Sequence, residues 1–388
     1  MKVKSFLLTA LAASMTFVAC DNNDNEMGQM DNTPKSVSIN LPNVISALTR
    51  SAGQEIEDQE DVSLTDLQVF FTDGTNLVKG KTAEGTEATH YFSTKTAFDN
   101  RTDAVFHFLP AAVNKVIVVG NIGQASDETT YAGLKEDLVI ADEQKAEDLF
   151  LYKEVELTTS ASFDDEGHPL YEVDVELEPR VARIEVGSFE YAAIDDNTPR
   201  KYTSIEIDQI MLNNYYQVAD NQTGEVSGSV NRTKSEITAG TVFGIFEEAA
   251  KAGEATPVWY SDVFSADADA DPTTVLPVVT LNEAGSYTHT YGKGNVRPAY
   301  HFFPNATNIA TTDHPQVLVK LIGTDANGNK TPLYLATNVF NPAVTTEMAK
   351  IYVLDFEFND IDLGNPEKCV DVTVTVKKWD VKAVTPEF

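Results

Sequence analysis

The segment from Val370 to Val376 reads V-D-V-T-V-T-V and puts Val370, Val372, Val374 and Val376 on one face. Strict alternation is the two-residue period of a half-buried β-strand and does not suit a helix. The same period recurs along the chain. Val37, Ile39 and Leu41 alternate in S-V-S-I-N-L-P, and Leu64, Leu67, Val69 and Phe71 begin a strand that Asp73-Gly74 closes. Residues 104–109 and 113–119 flank Pro110-Ala111-Ala112. The β-branched run Ile117-Val118-Val119 fits a central strand covered on both faces. Tyr171, Val173, Val175 and Leu177 alternate with acids. After Pro179 further strands are expected at 181–186, 202–211, 317–322, 333–335 and 351–358. Ile210 falls out of register with Ile205 and Ile207, and Asn327-Gly328 marks a hairpin turn. One short helix is expected within 124–148, a long loop or short hairpins over 213–240, and a hinge at Gly364 and Pro366.

Many short strands with turn-rich connections predict an all-β chain of two Greek-key, transthyretin-like β-sandwich domains in tandem, with few short helices. The expected domains are 51–178 and 179–388. The composition supplies cores for them: 42% of the 388 residues are hydrophobic, with 20 Phe and 14 Tyr. The charge excludes some partners. With 28 Lys+Arg against 60 Asp+Glu, the net charge of −32 leaves no basic surface for nucleic acid or for adsorption to anionic lipid.

The N-terminus reads as an export signal. Lys2 and Lys4 precede an apolar stretch from Phe6 to Ala19, too short to span a membrane, and the chain turns polar directly after Ala19-Cys20. This arrangement resembles a bacterial lipoprotein signal in which the thiol of Cys20 is acylated. Residues 1–20 are then the signal, 21–50 a propeptide, and 21–35 a tether to the outer membrane.

No catalytic, cofactor or metal site is expected. Asp267, Asp269 and Asp271 begin like a calcium loop, but Pro272 and Val278 occupy the positions that need Gly and Glu. The six histidines form no zinc-protease pair, and His107 reads as a core or face residue of a strand. There is no G-x-S-x-G elbow, the G-K-G at 292–294 is a turn, and Cys369 reads as a structural thiol. With Cys20 acylated, Cys369 has no partner for a disulfide or thiolate site. The chain is read as a non-enzyme.

A lipoprotein signal at Cys20, the S-V-S-I-N-L-P strand, Arg50, a β-rich body and a terminus of V-T-V-T-V-K-K-W-D-V together resemble the Bacteroidales fimbrillins. These are subunits of lipoprotein-derived surface fimbriae (type V pili), and the likeness is closest to the Mfa-type shaft subunit. The resemblance implies export to the outer membrane, then a cut by an arginine-specific extracellular protease between Arg50 and Ser51. That cut would release Val37, Ile39 and Leu41 and open a groove. The donor strand of another subunit, 370–388 with Val370, Val372, Val374, Val376 and Trp379, would fill it on the cell-surface fimbrium. Partners implied are other shaft, tip and anchor subunits. A tip or anchor role, or a surface adhesin that binds a host glycan or protein, is the alternative.

Overall fold

A computed structural model describes residues 33–42, 44–46, 61–126, 129–135, 137–139, 149–158, 162–228, 260–265, 275–281, 286–288, 298–304, 315–337, 346–364, 370 and 372–383. Cys20, Arg50, Ser51, the Asp267–Asp271 run, Pro366 and Cys369 lie outside them.

The strands that position the site are β1 (Lys35–Asn40), β2 (Val44–Ser46), β3 (Asp61–Leu64), β4 (Leu67–Thr72), β5 (Val105–Leu109), β6 (Lys115–Gly120), β7 (Leu151–Glu156), β8 (Ser162–Phe163) and β9 (Pro169–Asp174). Past Pro179 follow β10 (Ala182–Tyr191), β11 (Tyr202–Asn213), β12 (Tyr260–Ser265), β13 (Ala299–Phe302), β14 (Gln316–Asp325), β15 (Lys330–Ala336), β16 (Lys350–Phe358), β17 (Val372–Lys378) and β18 (Asp380–Ala383). Two short helices, α1 (Lys95–Asp99) and α2 (Asp360–Leu363), are described. No described helix is long and apolar enough to cross a membrane.

Upstream of Pro179, a four-stranded sheet runs β8-β9-β1-β5, and β7, β6 and β4 are consecutive in a second sheet. The two face each other: the ring of Phe71 on β4 meets that of Phe106 on β5 edge-on at 5.1 Å. β6 is covered on both faces, as its β-branched run requires. Val116 and Val118 enter the main core, while Ile117 and Val119 join Phe70, Tyr131 and Tyr152 on the other side.

Downstream, β10, β16 and β17 are consecutive in one sheet and β12, β11, β14 and β15 in another. The Tyr300 hydroxyl on β13 donates to the Ile210 carbonyl on β11, 3.1 Å away. The register shift between Ile207 and Gln209, where β11 pairs with β14, is the displacement that Ile210 signalled. A separate three-stranded sheet, β2-β18-β3, places Asp380–Ala383 between Val44–Ser46 and Asp61–Leu64.

Within 124–148 the described residues form one 3-10 turn, Gly133–Lys135, and a short strand, Leu138–Val139; residues 127, 128, 136 and 140–148 of this segment, in which a short helix is expected, lie outside them. Two expectations are corrected. The strand expected to end at Val186 continues to Tyr191. It crosses a register shift against β16, and at Gly187 an added Cβ would lie 2.4 Å from Asp355 Oδ1. The expected hinge at Gly364 is instead the end of α2, with φ −78°, closed at its start by a capping box between Asn359 and Asp362. Asp360 anchors this turn by accepting hydrogen bonds from the Tyr191 hydroxyl and the Lys201 N–H.

Candidate functional site

The two alternating segments at the chain ends occupy different places. β1 is internal to its sheet. It runs parallel to β9, with Val37 opposite Tyr171 and Ile39 opposite Val173, and antiparallel to β5, with Val37 opposite Phe106. Val37 is fully buried and Ile39 and Leu41 nearly so, all within the main core. Polar ties hold its ends. Lys35 Nζ donates to the Val113 carbonyl at 2.9 Å, and Asn40 Nδ2 donates to Asp174 at 2.9 Å.

Among the described residues, β17 is the outer strand of its sheet and pairs with β16 alone, from Val372 opposite Phe356 to Lys378 opposite Lys350. Val372 and Val374 are half-buried against the core, and Val376 is 53% exposed. The residues that bracket this strand are held more firmly. Val370 is buried and donates to the Ala336 carbonyl at 2.9 Å. Trp379 is buried against His301, with ring centroids 5.6 Å apart, and its indole Nε1 finds no hydrogen-bond partner among the described residues. Beyond it, β18 lies between β2 and β3 and parallel to both, so that Val381 is opposite Val44 and Val62. β2 and β3 flank the segment that holds Arg50 and Ser51.

A polar cluster sits where β1 meets β5 and the β8–β9 hairpin. The Ser36 hydroxyl is fully buried and donates to Asp164 Oδ2 at 2.6 Å. His107 Nδ1 lies 3.2 Å from Asp164 and 3.3 Å from Glu166, and its Nε2 is 3.4 Å from Asp103. His168 Nδ1 is 3.3 Å from Asp164. Burial opposes ionisation of Asp164, but hydrogen bonds from Ser36, the His168 backbone N–H and His107 outweigh it and hold the carboxyl well below the usual carboxylate range. His107 is thus buried in its strand as expected, but as part of a charged cluster. Ser36, Asp103, Asp164, Glu166 and His168 were not singled out from the sequence. The alternation D-x-E-x-H at 164–168 is the one signal that pointed to them.

Comparison with solved structures fixes the fold. A protein from Parabacteroides distasonis ATCC 8503 assigned to cell adhesion superposes with a TM-score of 0.52 at 13% identity, over 91% of this chain and 98% of its own. A fimbrilin (FimA) from Porphyromonas gingivalis W83 superposes at 0.49 and 11% identity, over 91% and 99%. A further protein assigned to cell adhesion, from Bacteroides eggerthii DSM 20697, gives 0.45 and 17%, over 90% and 97%. No protein-family model and no curated protein matches the sequence. The chain has the all-β fold of the Parabacteroides cell-adhesion protein. The all-β fold expected from the sequence is the fold observed.

Proposed function

We propose that this chain is a structural subunit of a bacterial surface fimbrium. It is exported as a lipoprotein on Cys20, cut after Arg50, and polymerised by exchange of its C-terminal strand, with sandwich domains at 51–178 and 179–388. The observation that carries the reading is the position of β1. A strand upstream of the expected cut is paired on both sides and buried in the core.

Release of the chain up to Arg50 leaves β9 and β5 each with an unpaired edge, separated by an apolar slot one strand wide. Such an edge demands a partner. Refilling it with side chains equivalent to Val37, Ile39 and Leu41 is worth up to about 5–9 kcal/mol by buried area. β17 carries valines at the same period, and with one neighbour it has one ladder of hydrogen bonds to surrender. The contact it would make is head-to-tail and does not close, so it propagates as a fibre.

The tail arrangement supports a coupling between the two events. β18 is clasped by one strand on each side of the expected cut, so loss of β2 together with β1 removes half of its pairing. The unpartnered indole of Trp379 lowers the cost of departure, because no hydrogen bond is broken there.

Treatment of the purified precursor with an arginine-specific protease tests the proposal. Sequencing is expected to find Ser51 as the new N-terminus, and gels of unboiled samples to show ladders. A chain lacking 370–388 should be cut but give no ladder. Ladders from the deleted chain, or a cut full-length chain that stays monomeric, would overturn it. Arg50 left uncut in purified fimbriae, with the lipid retained, would mark an anchor subunit instead.

A further inference from the structure

The cluster at the seat of β1 has the geometry of a metal-binding site. His107 Nδ1, Asp164 Oδ2 and Glu166 Oε2 all lie within 4.8 Å of one another. The two distances from Nδ1, 3.2 and 3.3 Å, are close to the edges of about 3.3–3.4 Å in a tetrahedral shell with bonds near 2.0–2.1 Å.

Each donor is held by its surroundings. Asp164 Oδ1 accepts the backbone N–H groups of Glu166 at 3.1 Å and His168 at 2.7 Å, which turns Oδ2 toward His107. The hairpin can make this turn because Gly167 adopts φ +82°. His107 is aimed by an irregularity in β5. The register against β1 shifts between Lys35 and Val37, opposite 106–109, and Phe108 takes φ +54°, uncommon for a residue with a Cβ. Asp103 Oδ2 lies 3.4 Å from Nε2, on the side of the ring away from Asp164 and Glu166. A carboxylate behind an imidazole is the usual outer partner of a metal-binding histidine. With a metal on Nδ1, that carboxylate would accept the hydrogen on Nε2.

A metal ion would take the place that a hydrogen on Nδ1 holds between His107 and the two carboxylates. Imidazole together with carboxylates suits a zinc-type divalent ion, whereas calcium and magnesium prefer all-oxygen shells. Glu166 is one-third exposed, which gives an ion a way in.

We propose that His107, Asp164 and Glu166 form a site for a divalent transition metal of the zinc class, with Asp103 as a positioning residue behind His107. His168 Nδ1, 3.3 Å from Asp164 Oδ2, is outside this trio. The site does not depend on the fimbrial reading. It would, however, stiffen the seat of β1, because Ser36 is bonded to Asp164.

The test is a titration of the untagged full chain, stripped with chelator, with zinc chloride by calorimetry. Thermal unfolding with and without zinc is the second readout. One equivalent is expected to bind and to raise the unfolding temperature. Glu166→Gln, on the surface of the hairpin and harmless to folding, should weaken binding at least tenfold, and His107→Gln at least a hundredfold. Asp103→Asn should weaken it about tenfold, the usual effect of removing an outer-shell carboxylate. Absence of saturable binding would overturn the proposal. So would binding unchanged in Glu166→Gln, or calcium binding as tightly as zinc.

Discussion

β1 and β17 share a sequence period and differ in almost everything else. β1 has a strand on each side and side chains of 0–4% exposure at Val37, Ile39 and Leu41. Among the described residues β17 has one neighbour, and it carries two half-buried valines and a third that is mostly in solvent. Alternation alone says that a strand has one apolar face; it does not say how much of that face is covered. The contrast teaches that the N-terminal strand is an integral part of a core and the C-terminal strand a lightly held attachment. Strand exchange needs that asymmetry.

Substitutions can break or sharpen this contrast. The largest effect is expected from Ile39→Asp, which buries an unpaired carboxylate between two strands. Urea unfolding of the precursor should show a loss of about 3 kcal/mol or more. Ser36→Ala removes a short hydrogen bond to an ionised carboxyl and should cost about 1–3 kcal/mol by the same measurement. Val374→Ala, on a half-buried edge position, should cost about 1 kcal/mol or less. At the small end, Val376→Asp should leave precursor stability within about 0.5 kcal/mol while abolishing ladders after cleavage. A loss of several kcal/mol at Val376, or none at Ile39, would reverse the roles given to the two strands.

Much of the strand pattern was legible because the period is local. The run at Ile117–Val119 signalled burial on both faces, and the misplaced Ile210 signalled a register shift. What was illegible depended on distant partners. β10 reads past Gly187 as if it ended, because the strand's continuation is set by close packing on Asp355 of β16. Gly364 suggested a hinge, yet Asn359 and Asp362 cap a helical turn there, tied down by Tyr191. The polar cluster was hidden because Ser36 and Asp164 are separated by 128 residues and meet only after β1 enters its sheet. Nor could the sequence reveal that β18 returns to pair with both β2 and β3.

Amide hydrogen exchange across β5 and β9 tests the central claim most directly. Three states are compared: the intact precursor, the cut chain carrying Val374→Asp and Val376→Asp to block assembly, and the wild-type fibre. The account predicts amides protected in the precursor, exposed in the cut blocked chain, and protected again in the fibre. Protection that persists in the cut blocked chain after the N-terminal fragment has left would contradict it.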